Sequence, residues 1–288
     1  MQQRPQTTER KRPNMQLEVS ASEHKLSLKR FLTARFPTHS VMHLAGRVVK
    51  GHCKVDGSPA DWGKKLRAGQ IVEIDLDLQA ATARTPENIP LQIIHEDQDI
   101  LAVDKPPGML VHPTKHVKSG TLANAVAHYL AGQRFWFPHR LDRDVSGVIA
   151  IAKTVEATNR LAKLWLSRQV TKRYLALLEG PLEMAQIDID APIGRNATRK
   201  PEWAIDLEGK PSLTKLEVIR QGTDTTLVAL YPITGRTNQL RLHTAHIGHP
   251  IVGDTLYGAK PAERLHLHAH SLALPDLLLQ SQIPAWAT

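Results

Sequence analysis

The order of apolar and polar positions predicts two helices and several strands at the start of the chain. Apolar residues recur at helical spacing between residues 26 and 36, and a second short helix is expected from Ser40 to just before Gly51. Strands are expected at 53–55 and 71–78, and the second alternates apolar with mostly acidic residues. This alternation predicts one buried face and one solvated face.

A stretch rich in alanine, threonine and proline separates this region from the rest of the chain. Residues 79–90 show no periodicity, which is typical of a connection between domains. The elements expected beyond it are helices at 121–130 and 155–169 and strands at 100–103, 148–152, 174–178 and 225–231. Because strands and helices do not alternate regularly, the pattern predicts an α+β fold.

The helix expected at 155–169 has an apolar face and a basic face. The residues expected to face the core are Val155, Leu161, Leu164 and Trp165. Arg160, Lys163 and Arg168 project from the other face. Both a phosphate-contacting surface and a merely solvated one fit this pattern.

Composition narrows the class of protein. The 288 residues carry a net charge of +9 with a pI near 9.7, which favours a polyanionic partner. The single cysteine, Cys53, excludes an internal disulfide. No apolar run reaches the roughly 18 residues of a membrane helix, and the polar, basic residues 1–14 lack the apolar stretch of a secretory signal. We therefore expect a cytoplasmic protein with a flexible basic tail.

Two polar clusters are candidates for chemistry. Residues 137–147 place the carboxylates of Asp142 and Asp144 just before an apolar strand, a position that suits reactive groups. Taken alone, these carboxylates fit an acid/base pair, a metal site or simple turn capping. Residues 234–243 join a turn to a predicted helix, and their two arginines suit a carboxylate or phosphates.

Several short motifs, some of them within the two clusters, follow one another along the chain. They are His139-Arg140-Leu141-Asp142, Ser146-Gly147, Lys172-Arg173-Tyr174-Leu175-Ala176, the block 234–241, Gly248-His249-Pro250-Ile251 and Gly253-Asp254. In order and spacing they resemble the RluA-type pseudouridine synthases. The first region resembles the S-four-like RNA-binding module that several members carry, through residues 28–31, 46–48 and 55–57.

The resemblance implies both a domain plan and an activity. The expected plan is a flexible tail at 1–14, an S-four-like RNA-binding domain at 15–78, a linker at 79–90 and a catalytic domain at 91–288. The catalytic domain would be α+β, with a mixed, largely antiparallel β-sheet flanked by helices. The implied activity is conversion of uridine to pseudouridine in structured RNA without a cofactor. The expected substrate is large-subunit ribosomal RNA, and tRNA stays open as the alternative.

The resemblance also implies the site residues. The catalytic ones would be Asp142, Tyr174 and Arg241, and the substrate-binding ones His139, Arg140, Arg236, Gln239 and Leu240. Asp142 would act on the sugar in its ionised form, and Arg241 would pair with it and lower its pKa. Tyr174 would stack on the flipped base, Leu240 would line the pocket, and Arg140 would fill the space that the base leaves. Val145 and Asn238 depart from the family, which usually has Thr and His there.

Several alternatives stay open at this point. The histidines that suggest a metal site are His243, His246, His249, His266, His268 and His270. Because no thiol accompanies them, we expect no metal. A catalytically silent RNA-binding assembly factor would use the same fold, although the joint presence of Asp142, Tyr174 and Arg241 argues against it. The RsuA-type synthases also carry an N-terminal module, but the histidine before Arg-Leu-Asp fits the RluA type.

Overall fold

The computed structural model divides the chain into two compact units, at residues 1–83 and 84–288. The residues that it describes are 14–36, 41–76, 85–114, 116–195 and 203–288. Most of the expected tail and much of the expected linker lie outside these ranges, and the proposed limits of the functional domains stay predictions. Among the described residues, no helix is both long and apolar enough to cross a membrane.

The first unit packs two helices on a four-stranded antiparallel sheet. Its elements are β1 (Asn14–Glu18), α1 (Leu28–Arg35), α2 (Val41–Val49), β2 (Cys53–Val55), β3 (Ser58–Pro59) and β4 (Ile71–Asp75). The strand order is β1-β4-β2-β3. As the alternating pattern predicts, Val72, Ile74 and Leu76 are buried, whereas residues 77 and 78 of the expected strand lie outside the described residues. Helix α1 starts later than residue 26 because the Ser27 side chain caps it by accepting from the Arg30 amide.

The second unit is built on one large sheet. Its strands are β5 (Gln92–Glu96), β6 (Ile100–Lys105), β7 (Ser146–Ala152), β8 (Thr171–Glu179), β9 (Gln186–Asp190), β10 (Ile193–Arg195), β11 (Trp203–Ile205), β12 (Leu213–Gln221), β13 (Thr225–Pro232), β14 (Leu267–Leu274) and β15 (Leu277–Gln280). Its helices are α3 (Leu122–Tyr129), α4 (Val155–Leu166) and α5 (Gln239–His246). Nine strands form the main sheet in the order β5-β6-β7-β14-β8-β13-β12-β9, with β15 beside β14.

This sheet confirms the expected fold class. All of its described strand pairs are antiparallel except β7 with β14, so the sheet is mixed and largely antiparallel. Strand β7 is buried along its whole length. Its Ile149 and Ile151 pack in one cluster with α3, whereas Val148 and Ala150 lie in a second cluster with β14 and α4. Apolar layers on both faces explain why β7 reads as an uninterrupted apolar run.

Helix α4 differs from the sequence expectation at both ends. Val155 is 49% exposed instead of facing the core, because it is the first residue of the helix; Leu161 is buried as expected. The helix ends at Leu166, before the expected residue 169, because Arg168 adopts a left-handed conformation with φ 57°. The basic Arg168 therefore lies in the turn that leads into β8, not on the helix surface.

The parallel pair β7–β14 depends on Gly147. Its φ of 115° suits glycine, and a Cβ at this position would overlap the backbone carbonyl of Ala269 on β14. Glycine therefore lets the start of β7 come directly against β14. Asp142 lies in the loop that precedes β7, and this loop is thereby brought beside the centre of the sheet.

We expect Gly147→Ala to lower the free energy of unfolding by about 2–3 kcal/mol, because it adds steric overlap to a strained φ. The matched control is Gly132→Ala, at φ 87° with no atom within 4 Å of the added Cβ. The control should cost only about 1 kcal/mol. Urea denaturation measures both values, and equal losses would show that the close approach to β14 is unimportant.

Candidate active site

The loop before β7 presents Asp142 because its neighbours are buried. Leu141 and Val145 insert into the apolar cluster beneath the sheet, together with Ala176 of β8 and Leu267 of β14. The Val145 amide donates to the Asp142 carbonyl at 3.3 Å, which closes a turn. Asp142 is thus held between two apolar anchors, with its side chain half-buried at the cavity wall.

Lys105 holds the same loop from behind. This fully buried side chain donates from Nζ to the carbonyls of Pro106, Met109 and Arg143, at 2.8, 2.9 and 3.0 Å. Burial lowers the pKa of Lys105 to about 8, against the opposing effect of the carboxylates of Asp144 and Asp142. All three donors are satisfied, and the bond to Arg143 ties the backbone just after Asp142 to the segment that follows β6.

A cavity of about 600 Å³ opens beside Asp142. Its walls come from the Asp142 loop, the end of α4, β8, the segment after β13 and the start of β14. Five basic side chains line it, and Asp142 is the one carboxylate among the lining residues. The basic residues are Arg140, Arg168, Lys172, Arg236 and Arg241. The volume suits a ligand of nucleotide size, and the excess of positive charge suits phosphates.

The Asp142 carboxylate makes no hydrogen bond or ion pair with any residue that the structure describes. Burial raises its pKa, and the opposing positive charges of Arg241, Arg140 and Lys105 do not cancel that effect. One expectation is therefore wrong, because Arg241 does not bind Asp142 directly. Its charge lowers the pKa of Asp142 as expected, but burial outweighs this effect and the pKa is raised overall.

Arg241 binds Asp254 instead. Its Nε and Nη2 each donate to one oxygen of this fully buried carboxylate at 2.6 Å, a bidentate pair. Nη1 lies 3.5 Å from the Asn238 side-chain oxygen, and the guanidinium sits 5.0 Å from the ring centre of Tyr257. These contacts fix the Arg241 charge near Asp142 without a direct bond.

Tyr174 and Leu240 line the cavity as the resemblance implies. Tyr174 lies on β8 and packs against the apolar cluster that buries Leu141. Burial, with the Asp142 charge as a second cause, raises the pKa of the Tyr174 hydroxyl above its ordinary value, so the phenol is neutral. The ring therefore offers an uncharged face to the cavity.

Two of the expected substrate-binding residues already bond to other residues of the protein. The Gln239 amide is saturated: Oε1 accepts from Thr234 and the Arg236 amide, and Nε2 donates to Leu213 and Thr214. His139 Nε2 accepts from the Ala150 amide at 2.9 Å, and its ring stacks on Trp165 at 5.0 Å. Burial lowers the pKa of His139 to about 3, so this ring is neutral.

Arg236 and Arg140 are the more accessible expected residues. The Arg236 guanidinium contacts only the Pro211 carbonyl, at 3.3 Å, among the described residues. Arg140 is exposed and has no hydrogen bond or ion pair within the described ranges. Both charges are therefore open to a ligand.

Comparisons with known proteins show which family the chain resembles. Residues 99–246 match the family model described as RNA pseudouridylate synthase. Proteins named ribosomal large subunit pseudouridine synthase D are similar to the chain: those of Yersinia pestis and Escherichia coli K12 are each 35% identical over 254 residues, covering 86% of this chain and 78% of theirs. The solved structure of human RNA pseudouridylate synthase domain containing 1 is 32% identical, covers 69% of this chain and 84% of its own, and has a TM-score of 0.59.

The chain belongs to the RNA pseudouridylate synthase family. The expected resemblance to the RluA type is thereby confirmed. The matched region contains Asp142, Tyr174 and Arg241, and all three side chains line the same cavity of this pseudouridine synthase.

The two departures from the family pattern have simple physical settings. Val145 is 3% exposed in an apolar cluster, where a hydroxyl is not needed. Asn238 has φ 55°, a left-handed conformation that asparagine tolerates well, and its amide donates to the Tyr257 hydroxyl at 2.8 Å. Asn238 thus joins the group that positions Arg241.

Sequence reasoning missed the roles of Lys105 and Asp254 in this pseudouridine synthase. Asp254 lies in a motif that supports the resemblance, but no sequence pattern shows that its partner is Arg241 or that Lys105 bonds the Arg143 carbonyl. The structure also shows structural contacts for two of the six histidines that suggest a metal site. Among the described residues, no cluster of three or more His, Cys, Asp or Glu side chains could hold a metal ion. His243 contacts the Ala191 carbonyl and His268 contacts Ser146, so these two have structural partners.

We expect Asp254→Asn to lower the free energy of unfolding by about 3 kcal/mol, because the Arg241 charge is left buried without its partner. The matched control is Asp188→Asn, which breaks an exposed pair with Lys215 at 3.8 Å. The control should cost under about 0.5 kcal/mol. Urea denaturation measures both free energies of unfolding. A small loss of stability in Asp254→Asn would mean that another group holds Arg241.

Proposed function

We propose that this chain isomerises uridine to pseudouridine in large-subunit ribosomal RNA, with Asp142 as the reactive carboxylate and no cofactor. The observation that carries the proposal is the placement of Asp142 in a basic cavity that also holds Tyr174, where its carboxylate has no partner among the described residues. The names of the similar ribosomal large subunit enzymes support ribosomal RNA as the substrate. A cytoplasmic location is part of the proposal, because ribosomal RNA would be the substrate.

The isomerisation leaves the atomic composition of the nucleotide unchanged. The bond from N1 of uracil to C1′ of the sugar breaks, and a bond from C5 to C1′ forms. The proton on C5 leaves to solvent, and N1 gains a proton. Because no electrons or atoms are added overall, the protein needs only to hold the detached base, turn it and exclude water.

Each cavity residue has a role in this proposal. Ionised Asp142 acts on the sugar, and Arg241, fixed by Asp254, supplies positive charge that favours the ionised form. Tyr174 stacks on the flipped base, and Leu240 completes the apolar wall. The exposed Arg140 fills the place of the base in the RNA, and Arg236 binds backbone phosphate. Gln239 and His139 position the surrounding loops instead of contacting RNA.

The first unit is proposed to bind RNA as an S-four-like domain at residues 15–78. Lys29 and Arg30 of α1, and Lys50 and Lys54 near β2, are exposed on it. Such side chains suit phosphate contacts that position an RNA without reading its sequence.

Tritium release from RNA labelled at C5 of uracil tests the function. Wild type should release tritium from large-subunit ribosomal RNA made without modifications, and Asp142→Asn should lower the rate at least about 10³-fold with RNA binding retained.

Because burial raises the pKa of Asp142, its ionisation opposes folding at neutral pH. The variant should therefore be no less stable than wild type.

Tyr174→Phe is the matched variant in the same cavity, because stacking survives the loss of the hydroxyl. Its rate should fall far less than that of Asp142→Asn. Release from tRNA alone would overturn the ribosomal substrate. Tight binding without release from either RNA pool would instead indicate a silent assembly factor.

A further inference from the structure

A second hollow of about 110 Å³ adjoins the active cavity, and several residues line both. Trp165, Arg168, Lys172 and Ile233 line both spaces, and Leu166 lines the larger one. We name these five residues the outer subsite. The proposed chemistry on the target uridine uses none of them.

The outer subsite carries two cations and no carboxylate. Arg168 is exposed, and its guanidinium has no hydrogen bond or ion pair with any described residue. Lys172 Nζ donates to the Thr234 carbonyl at 3.3 Å, which leaves two of its three donors free within the described ranges. Among the described residues, none that lines the second hollow is acidic. The charge therefore suits a phosphate group.

Apolar surface lies directly beside these cations. Leu166 is 86% exposed at the end of α4, and Ile233 is 36% exposed where the chain leaves β13. A large apolar residue with so little burial contributes little to the core. Cations next to exposed apolar side chains match a nucleotide, which has a charged phosphate and an apolar base face.

The subsite is adjacent to the proposed place of the target base. Lys172 and Tyr174 are two residues apart on β8, so their side chains share one face of the sheet about 7 Å apart. Both line the same cavity. A ligand that begins over Tyr174 and extends by about one nucleotide reaches the outer subsite.

We propose that the outer subsite binds the nucleotide next to the target uridine. Arg168 and Lys172 contact its phosphate, and Leu166 and Ile233 contact its base. This inference rests on the proposed function. It assigns the turn after α4 a role in substrate binding. Arg168, in that turn, would contact RNA, whereas the basic residues on α4 itself have no part in the subsite.

The first test uses a synthetic RNA hairpin that contains the uridine modified by wild type. Arg168→Gln should raise Kd about tenfold, the loss of one charge-assisted hydrogen bond, and kcat/KM should fall in proportion. The slope of log Kd against log salt should shrink by about one. Lys163→Gln, the same loss of charge on α4 outside both cavities, should change Kd less than twofold. Equal losses in the two variants would overturn the subsite.

The second test identifies the nucleotide. Leu166→Ala should weaken binding about threefold to the normal hairpin, and this effect should vanish when the neighbouring nucleotide is abasic. The Arg168→Gln effect should vanish when the neighbouring phosphate is replaced by an uncharged methylphosphonate. An effect of either variant that persists on its modified RNA would contradict the assignment.

A structural role for Arg168 has a separate signature. Arg168→Gly removes the side chain but favours the left-handed backbone, so Tm should stay equal or rise while Kd rises as for Arg168→Gln. A lowered Tm would show that Arg168 stabilises the fold. Tritium release by wild type with unaltered binding by these variants would refute the subsite alone, whereas no release by wild type would refute the proposed function.

Discussion

The burial of Leu141 and Val145 on either side of Asp142 is the constraint on which the site depends. Two apolar anchors hold the loop against the sheet, and the side chain between them faces the cavity. Lys105 then binds the backbone that follows, and Gly147 lets β7 lie against β14. The carboxylate is therefore placed by the core beneath it and not by a partner of its own.

The absence of a direct partner among the described residues has an electrostatic consequence. Burial opposes the charge on Asp142, and cations on other elements favour it. Arg241 acts at a distance because its Nε and Nη2 already donate to Asp254, which holds the guanidinium in place. A carboxylate without a bound cation stays accessible to a substrate, and nearby positive charge still favours ionisation. This arrangement supports both the reactivity and the RNA affinity that the proposal requires.

The sequence predicts most of this fold and part of its site. Strands 100–103, 148–152, 174–178 and 225–231 and helix 121–130 are present, because their apolar patterns reflect local burial. The motifs also bring Asp142, Tyr174 and Arg241 to one cavity. They do not reveal that Arg241 binds Asp254 instead of Asp142, because both carboxylates lie in motifs and only the folded distances decide between them.

Other details depend on contacts that no local pattern encodes. Gln239 looks available in the sequence, yet partners from β12 and from its own loop saturate its amide. Helix α4 ends early because Arg168 turns left-handed, although its apolar spacing extends further. In each case a tertiary contact or a single backbone torsion decides the outcome.

The ionisation of Asp142 is the most direct test of this account. Carboxyl ¹³C NMR of labelled aspartates measures this ionisation as a function of pH. The Asp142 signal is assigned as the one that is missing in Asp142→Asn. The account predicts a midpoint above that of an aspartate in an unstructured peptide, with activity lost as pH falls through it. Arg140→Gln should raise the midpoint further, because its charge lowers the pKa of Asp142. A midpoint at or below the peptide value, unmoved by Arg140→Gln, would contradict a buried carboxylate controlled by distant cations.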